Sequence, residues 1–323
     1  MREPVLRRRT VFALAGAALV TTFGVAAPAA AAQVVTVDVG DRPGPLAVNS
    51  ATGIVYVANS AAGTVSVVDG RSTTVTATVR VGDGPGGVAV NEATNRVYVS
   101  SPAAGTVTVL DGRTNKVLSV VGAGAGASAL AADEAANKIY AASATSGSVG
   151  VIDGISSTLI GTVPGPGQGF SGVSVDSGRH LAYLSSLYTD TVEILDLAGN
   201  AFTGSVKVGK GPAGLAVHPA SGRIYVSNSG IHHLSIVDGA SRTELPHVLL
   251  RSAASSAAVH QGTNTVYTNG GPNGVVKIDG LLSKLTGELS LGINPGDVAV
   301  DQRTGTVYVT DPLHDLVSVI TGF

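Results

Sequence analysis

The chain has no cysteine and no tryptophan, a single methionine and little charge, with Asp, Glu, Lys and Arg making up 13% of its 323 residues. The missing thiols exclude disulfides, zinc–thiolate centres, a cysteine nucleophile and a lipobox-type lipid anchor. After residue 32 no segment approaches 18 continuous apolar residues, so no membrane span is expected there. No window there repeats Leu, Glu and Lys at helical spacing, which argues against long amphipathic helices. What fills the chain instead is 43 glycines and, between them, short runs of Val, Thr and Ile. With 44% hydrophobic residues the chain is not disordered. Short apolar runs punctuated by glycine point to an all-β protein.

The first 32 residues read as a secretory leader. Arg7, Arg8 and Arg9 form a basic stretch, and Val11 to Val20 an apolar stretch too short to span a bilayer. Ala29 to Ala32 offers small-residue cleavage sites. Arg8-Arg9-Thr10-Val11-Phe12 has the form of a twin-arginine export signal. Cleavage near Ala32 or Gln33 leaves one domain over residues 33–323. It also removes four Arg and one Glu from the 20 basic and 22 acidic residues, leaving 16 and 21, a net charge of −5. A mildly acidic protein lacks the basic footprint of a nucleic-acid binder.

Internal repetition governs the rest. Tyr56, Tyr98, Tyr140, Tyr183, Tyr225, Tyr267 and Tyr308 are spaced by 42, 42, 43, 42, 42 and 41 residues, and only Tyr188 lies outside the register. Asp69, Asp111, Asp153, Asp196, Asp238 and Asp279 keep the same period, with Thr321 in the seventh place. In the second unit, strand A is read over 87–90, B over 96–99, C over 106–110 and D over 116–121. The Asp-Gly pairs after strand C are hairpin-turn chemistry, in which Gly is expected to supply a positive φ and Asp to cap the turn. Strand B is apolar on both faces, as in Ile54-Val55-Tyr56-Val57. A four-stranded sheet of this kind needs cover on both sides, and radial packing of blades provides it. Seven repeats therefore predict a seven-bladed β-propeller with four antiparallel strands per blade. The last unit ends after strand C, at Leu316 to Ile320, while Val34 to Val39 is a spare strand at the front. Residues 34–39 are expected to complete blade 7 and close the ring.

At these residues the sequence resembles the YVTN-type β-propeller repeat family, related to surface-layer propellers. The naming tetrad reads Tyr56-Val57-Ala58-Asn59, Tyr225-Val226-Ser227-Asn228 and Tyr308-Val309-Thr310-Asp311. The segment before strand A reads Val81-Gly82-Asp83-Gly84-Pro85-Gly86-Gly87 and Val208-Gly209-Lys210-Gly211-Pro212-Ala213-Gly214. The resemblance covers residues 34–323 and implies an exported or cell-surface protein without implying a ligand. Unit 6 departs from it, with Arg251-Ser252-Ala253-Ala254 in place of the Gly-Pro segment.

Most recurrent residues have structural readings. The register tyrosines pack between blades. The aspartates cap peripheral turns, too far apart to share one calcium ion. Gly122-Ala123-Gly124-Ala125-Gly126 resembles a nucleotide loop, but no helix pattern follows it. Residues that break the repeat are more informative. The B–C and D–A loops share one end of the channel, where a rigid scaffold presents its loops. B–C loops carry Tyr188 and Asp190 in unit 4, His232 and His233 in unit 5, and Asp311, His314 and Asp315 in unit 7. Adjacent D–A loops add Asp41, Arg42, Lys210, Arg251, Asn294 and Asp297. His180, His218, His247 and His260 fall on A–B turns or strand D and are read as structural.

Two functions fit. One is a non-catalytic recognition or scaffold protein, a monomer binding a protein, glycan or envelope component through this face, without cofactor or metal. The other is a hydrolase or lyase; in blade number the chain loosely resembles streptogramin lyase-like proteins and lactonase propellers. Its site on this face would use His232, His233 or His314, with or without the assistance of a metal, and would require them to meet beside a carboxylate. DNA binding is disfavoured by charge.

Overall fold

Each repeat yields four strands because it carries four β-branched runs separated by turn residues. The computed structural model describes residues 31–167 and 169–323. In the second repeat the strands are Gly87–Asn91, Arg96–Ser101, Thr106–Asp111 and Val117–Gly122. Seven such antiparallel sheets are present, each in the order A-B-C-D, and no helix occurs among the described residues. The protein is a seven-bladed β-propeller. No helix is long and apolar enough to cross a membrane. The leader read over residues 1–32 lies outside the described residues except for Ala31 and Ala32, and Ala32 packs against the cluster between blades 6 and 7.

The ring closes as expected. Strand D of blade 7 is Gln33–Asp38, paired with Leu316–Thr321 from Gln33↔Thr321 to Asp38↔Leu316. Val39 lies just beyond the strand and donates its amide to Asp315 O at 2.9 Å. The six C–D pairs joined by a turn each carry a register shift, and this pair has none. Two chain ends joined by no hairpin can pair without accommodating a turn.

The core is distributed rather than central. Seven apolar clusters occupy the seven seams between neighbouring blades. The register tyrosines are at most 4% exposed, whereas Tyr188 is 73% exposed. Burial pushes the hydroxyls of Tyr56, Tyr140 and Tyr308 up to about 12, so they remain protonated donors. Tyr56 Oη donates to Gly112 O of the next blade at 3.3 Å, and Tyr225 Oη to Asn264 Oδ1 at 2.7 Å.

These contacts correct the expectation for the Asp-Gly turns. Gly70, Gly112, Gly154, Gly239 and Gly280 do not adopt positive φ; the left-handed residue stands three further on, at Thr73, Asn115, Ser157, Arg242 and Ser283. Blade 4 carries Leu197 where the others carry glycine. The glycine serves the seam: a Cβ on Gly239 would lie 2.6 Å from Tyr183 Oη of the preceding blade. The aspartate does cap the turn. Asp69 Oδ1 accepts the amides of Arg71 and Ser72 at 2.8 and 2.9 Å, which holds its carboxyl below the usual value. At the A–B end, blades are laced by Asn49 Nδ2 donating to Asn95 Oδ1, His218 Nε2 on Gln261 O and His260 Nε2 on Gln302 O.

Candidate functional site

The innermost strands run closest to the axis, where the circumference is least and side chains have least room. A Cβ on Gly172 would lie 2.6 Å from Ala213 O of the next blade, and one on Gly214 2.6 Å from Ser255 O. A Cβ on Gly87 would likewise strike Ser128 O. Glycine at the start of strand A is therefore a steric requirement of these seams. Removing these side chains also leaves an axial recess of about 470 Å³, to which all seven A strands or the residues just before them contribute. Its polar side chains are Ser171, Ser255, Ser256 and Asp297; the rest of its wall is glycine, proline, alanine, leucine and valine.

Asp297 joins three blades. Its Oδ2 accepts the Leu46 amide of blade 1 at 3.0 Å, and its Oδ1 accepts Val298 N at 2.9 Å and the Ser256 hydroxyl of blade 6. Burial raises its carboxyl above the ordinary value of 3.8, and the hydrogen bonds from Ser256, Leu46 and Val298 oppose that rise.

The raised value has a definite sign. A group with a folded pKa above its unfolded one contributes stability that is complete below 3.8 and lost as pH rises through the raised value. Asp69, Asp111 and Asp238 are lowered by turn amides, so theirs is present above 3.8 and lost as pH falls. Melting followed from about pH 4 to about pH 8 should therefore show a decline in the wild type that Asp297→Asn flattens. Identical slopes in the two proteins would contradict the assignment.

Of the thirteen loop residues singled out as binding candidates, Asp297 alone lines the axial recess; the others do not. They gather at separate seams. At the seam of blades 4 and 5, Asp190 Oδ1 accepts Gly211 N at 2.9 Å and Lys207 lies 3.7 Å from Oδ2, while Lys210 is exposed and its carbonyl accepts Gly230 N. Tyr188 lies over Gly169 on the same loop cluster. At blades 5 and 6, His232 O accepts Leu250 N, and Arg251 pairs with Glu288 at 3.1 Å. At blades 7 and 1, Asp315 Oδ1 accepts Arg42 N at 2.8 Å beside exposed Asp41, and His314 Nδ1 lies 2.6 Å from buried Asp311.

His233 sits elsewhere. It is the first residue of strand C in blade 5, not a loop residue, and its ring stacks on His247 with centroids 4.2 Å apart. Burial, and next the neighbouring His247, lower its pKa. Among the described residues the cluster of three metal-capable side chains is His233, Glu244 and His247; His314 is not part of it. Sequence reasoning named Asp297 only as a loop residue and passed over Ser171, Ser255 and Ser256. Their signal was position: each stands at or just before the start of strand A, which topology brings to the axis.

The irregular sixth repeat opens a second recess of about 430 Å³ lined by Ser252, Ala253, Ala254, Asn269, Pro272 and Asn294, among others. Asn269 Oδ1 accepts the amides of Ser255 and Ser256, and its Nδ2 donates to Pro295 O and Gly296 O. That amide replaces the missing Gly-Pro geometry and adjoins the axial recess at Ser255.

Fold and recess together define a seven-bladed β-propeller with a polar axial cup. The chain matches none of the known protein-family profiles. It is 31% identical over 152 residues to the PE-PGRS family protein PE_PGRS18 of Mycobacterium tuberculosis, a match that covers 47% of this chain and 33% of that protein. The chain thus spans about a third of that relative's length. Among solved structures it is similar to hydrazine synthase of Kuenenia stuttgartiensis, with a TM-score of 0.77 at 17% identity over 87% of this chain and 95% of that one. It is also similar to U3-55K, with a TM-score of 0.80 at 11% identity over 89% and 98%. At these identities the likeness is one of fold.

Proposed function

We propose that this protein is an exported, non-catalytic recognition propeller of the YVTN type. In this reading it is a monomer that holds a protein, glycan or other envelope component at the D–A and B–C loop face. The observation that carries the reading is the axial cup. Seven rigid strands converge on a recess walled by small residues, with Asp297 and three serines as its polar side chains. Such a wall favours shape-selective docking of a polar group. The basic, apolar and small-residue order of residues 1–32 supports export, and the net charge of −5 that cleavage after residue 32 would leave argues against nucleic acid. The hydrolase or lyase alternative required its histidines to meet. His314 is engaged with Asp311 on blade 7 and His233 with His247 on blade 5, which favours the binder.

The test is to plug the cup. A Cβ on Gly44 meets nothing within 4 Å, and Gly44 lines the recess, so Gly44→Trp should fold normally and fill it. Purified wild type and Gly44→Trp are immobilised and exposed to envelope extract, with circular dichroism as the folding control. Capture of a specific component should fall at least about tenfold in the variant. Equal capture by two folded proteins would overturn the assignment of the cup.

A further inference from the structure

We propose that His233, Glu244 and His247 form a binding site for a divalent transition metal of the zinc class on the outer part of blade 5. The three side chains each offer a ligand atom, and these atoms all lie within 4.8 Å of one another. Two imidazoles and a carboxylate are a donor set for zinc, copper or nickel, whereas calcium and magnesium require oxygen. Tetrahedral zinc with bonds of roughly 2.1 Å holds its ligand atoms about 3.4 Å apart. Closing from at most 4.8 Å asks for rotamer adjustments of up to about 1.4 Å, and both Glu244 and His247 are exposed and free to make them.

Three further observations support the site. First, the register shows that all three residues are peculiar to blade 5. Glu244 pairs with Val237, and the equivalent residues of the other blades are Val34, Val75, Val117, Leu159, Phe202 and Leu285. The positions equivalent to His233 hold Thr64, Thr106, Ser148, Thr191, Gly274 and Leu316. Second, the C–D register of blade 5 shifts between Leu234 and Ile236, where Pro246 and His247 stand opposite Ser235. This bulge brings His247 over His233. Third, His233 Nε2 is buried without a hydrogen-bond partner, and among the described residues no hydrogen bond or salt bridge engages the Glu244 carboxylate or the His247 ring. Leaving the buried His233 Nε2 unpaired is costly, while the exposed carboxylate and imidazole beside it are committed to no other group among the described residues.

The site is distinct from the axial cup, since none of its residues lines that recess. A metal here would clamp strand C to strand D across the bulge. It would also keep a coordination position for water or for a donor from outside the blade.

The test uses the purified full chain without a histidine tag, titrated with zinc ion alone at neutral pH by calorimetry and by thermal melting. We expect saturation at one equivalent and a melting temperature that rises with zinc concentration. His247→Thr and Glu244→Leu install residue types that other blades carry, so both should fold; each should weaken binding at least about tenfold. His314→Ala should leave binding unchanged, and magnesium should not compete. Joint shifts of the His233 and His247 ring protons on adding zinc would place the ion. Zinc binding that does not saturate, or that survives His247→Thr and Glu244→Leu, overturns the proposal. So does loss of binding in His314→Ala.

Discussion

A chain from which residues 33–38 are deleted should melt at a temperature lower by about 10 °C or more, or fail to unfold as one cooperative unit. The reason lies in what the closing strand contributes. It is largely exposed, with Val34 and Val35 42% and 48% accessible, and Val37 is its buried side chain. Apolar burial is therefore a minor part of its effect, about 1.5 kcal/mol for Val37. The larger part is the backbone ladder over six paired positions, about four to six hydrogen bonds at roughly 1 kcal/mol each. A loss on this scale is comparable to the whole stability of many domains. Deletion also bares the edge of Leu316–Thr321, which invites pairing between molecules. A circular permutant that moves residues 31–39 behind Phe323 through a short turn separates closure from mere presence. It should restore the melting temperature, because Gln33 already faces Thr321. If the deletion variant melts like the intact chain, the ring is not held by this strand.

Gly214→Val should lower the urea midpoint markedly, corresponding to about 3 kcal/mol or more, while Gly44→Val should leave it nearly unchanged. Both glycines belong to innermost strands that line the cup, so a general view of strand glycines predicts equal effects. Their surroundings differ. The added Cβ at Gly214 falls 2.6 Å from Ser255 O and 2.8 Å from Ser256 Cα, backbone atoms of the next blade that cannot swing aside. At Gly44 it meets nothing within 4 Å. Relief at Gly214 requires the blade 5 to blade 6 seam to open, and that seam holds Ala216, Tyr225, Leu250 and Ala254 in one cluster. Equal midpoints would show that the seam is looser at the axis than this geometry requires.

The fold was legible because it is periodic. Each tyrosine of the 42-residue register is a seam residue, and a pattern repeated seven times overrides the ambiguity of any one strand. The aspartates were legible as turn caps for the same reason. Their partner glycines were misread, because local turn chemistry explains an Asp-Gly pair well enough to hide its actual cause, the close approach of a tyrosine hydroxyl of the preceding blade at Gly70, Gly239 and Gly280 and of an asparagine side chain at Gly112 and Gly154. The candidate site residues were only partly legible. Asp190 and Asp315 broke the repeat conspicuously, and each accepts a backbone amide across a seam. Asp297 looked like one more loop carboxylate, and the serines of the cup looked like filler.

Sequence by itself determined the number of blades, the four-strand unit and the identity of the closing strand. These follow from period, from apolar patterning on both faces and from one unit that lacks a strand its opposite end supplies. Only the tertiary structure decided which polar residues meet. Asp297 reaches Leu46 and Ser256 from separate blades, and His247 meets His233 where the C–D bulge of blade 5 falls at Pro246 and His247. Period reports what each repeat shares, whereas a site arises from what a few repeats do not share and from the axis or seam that gathers them.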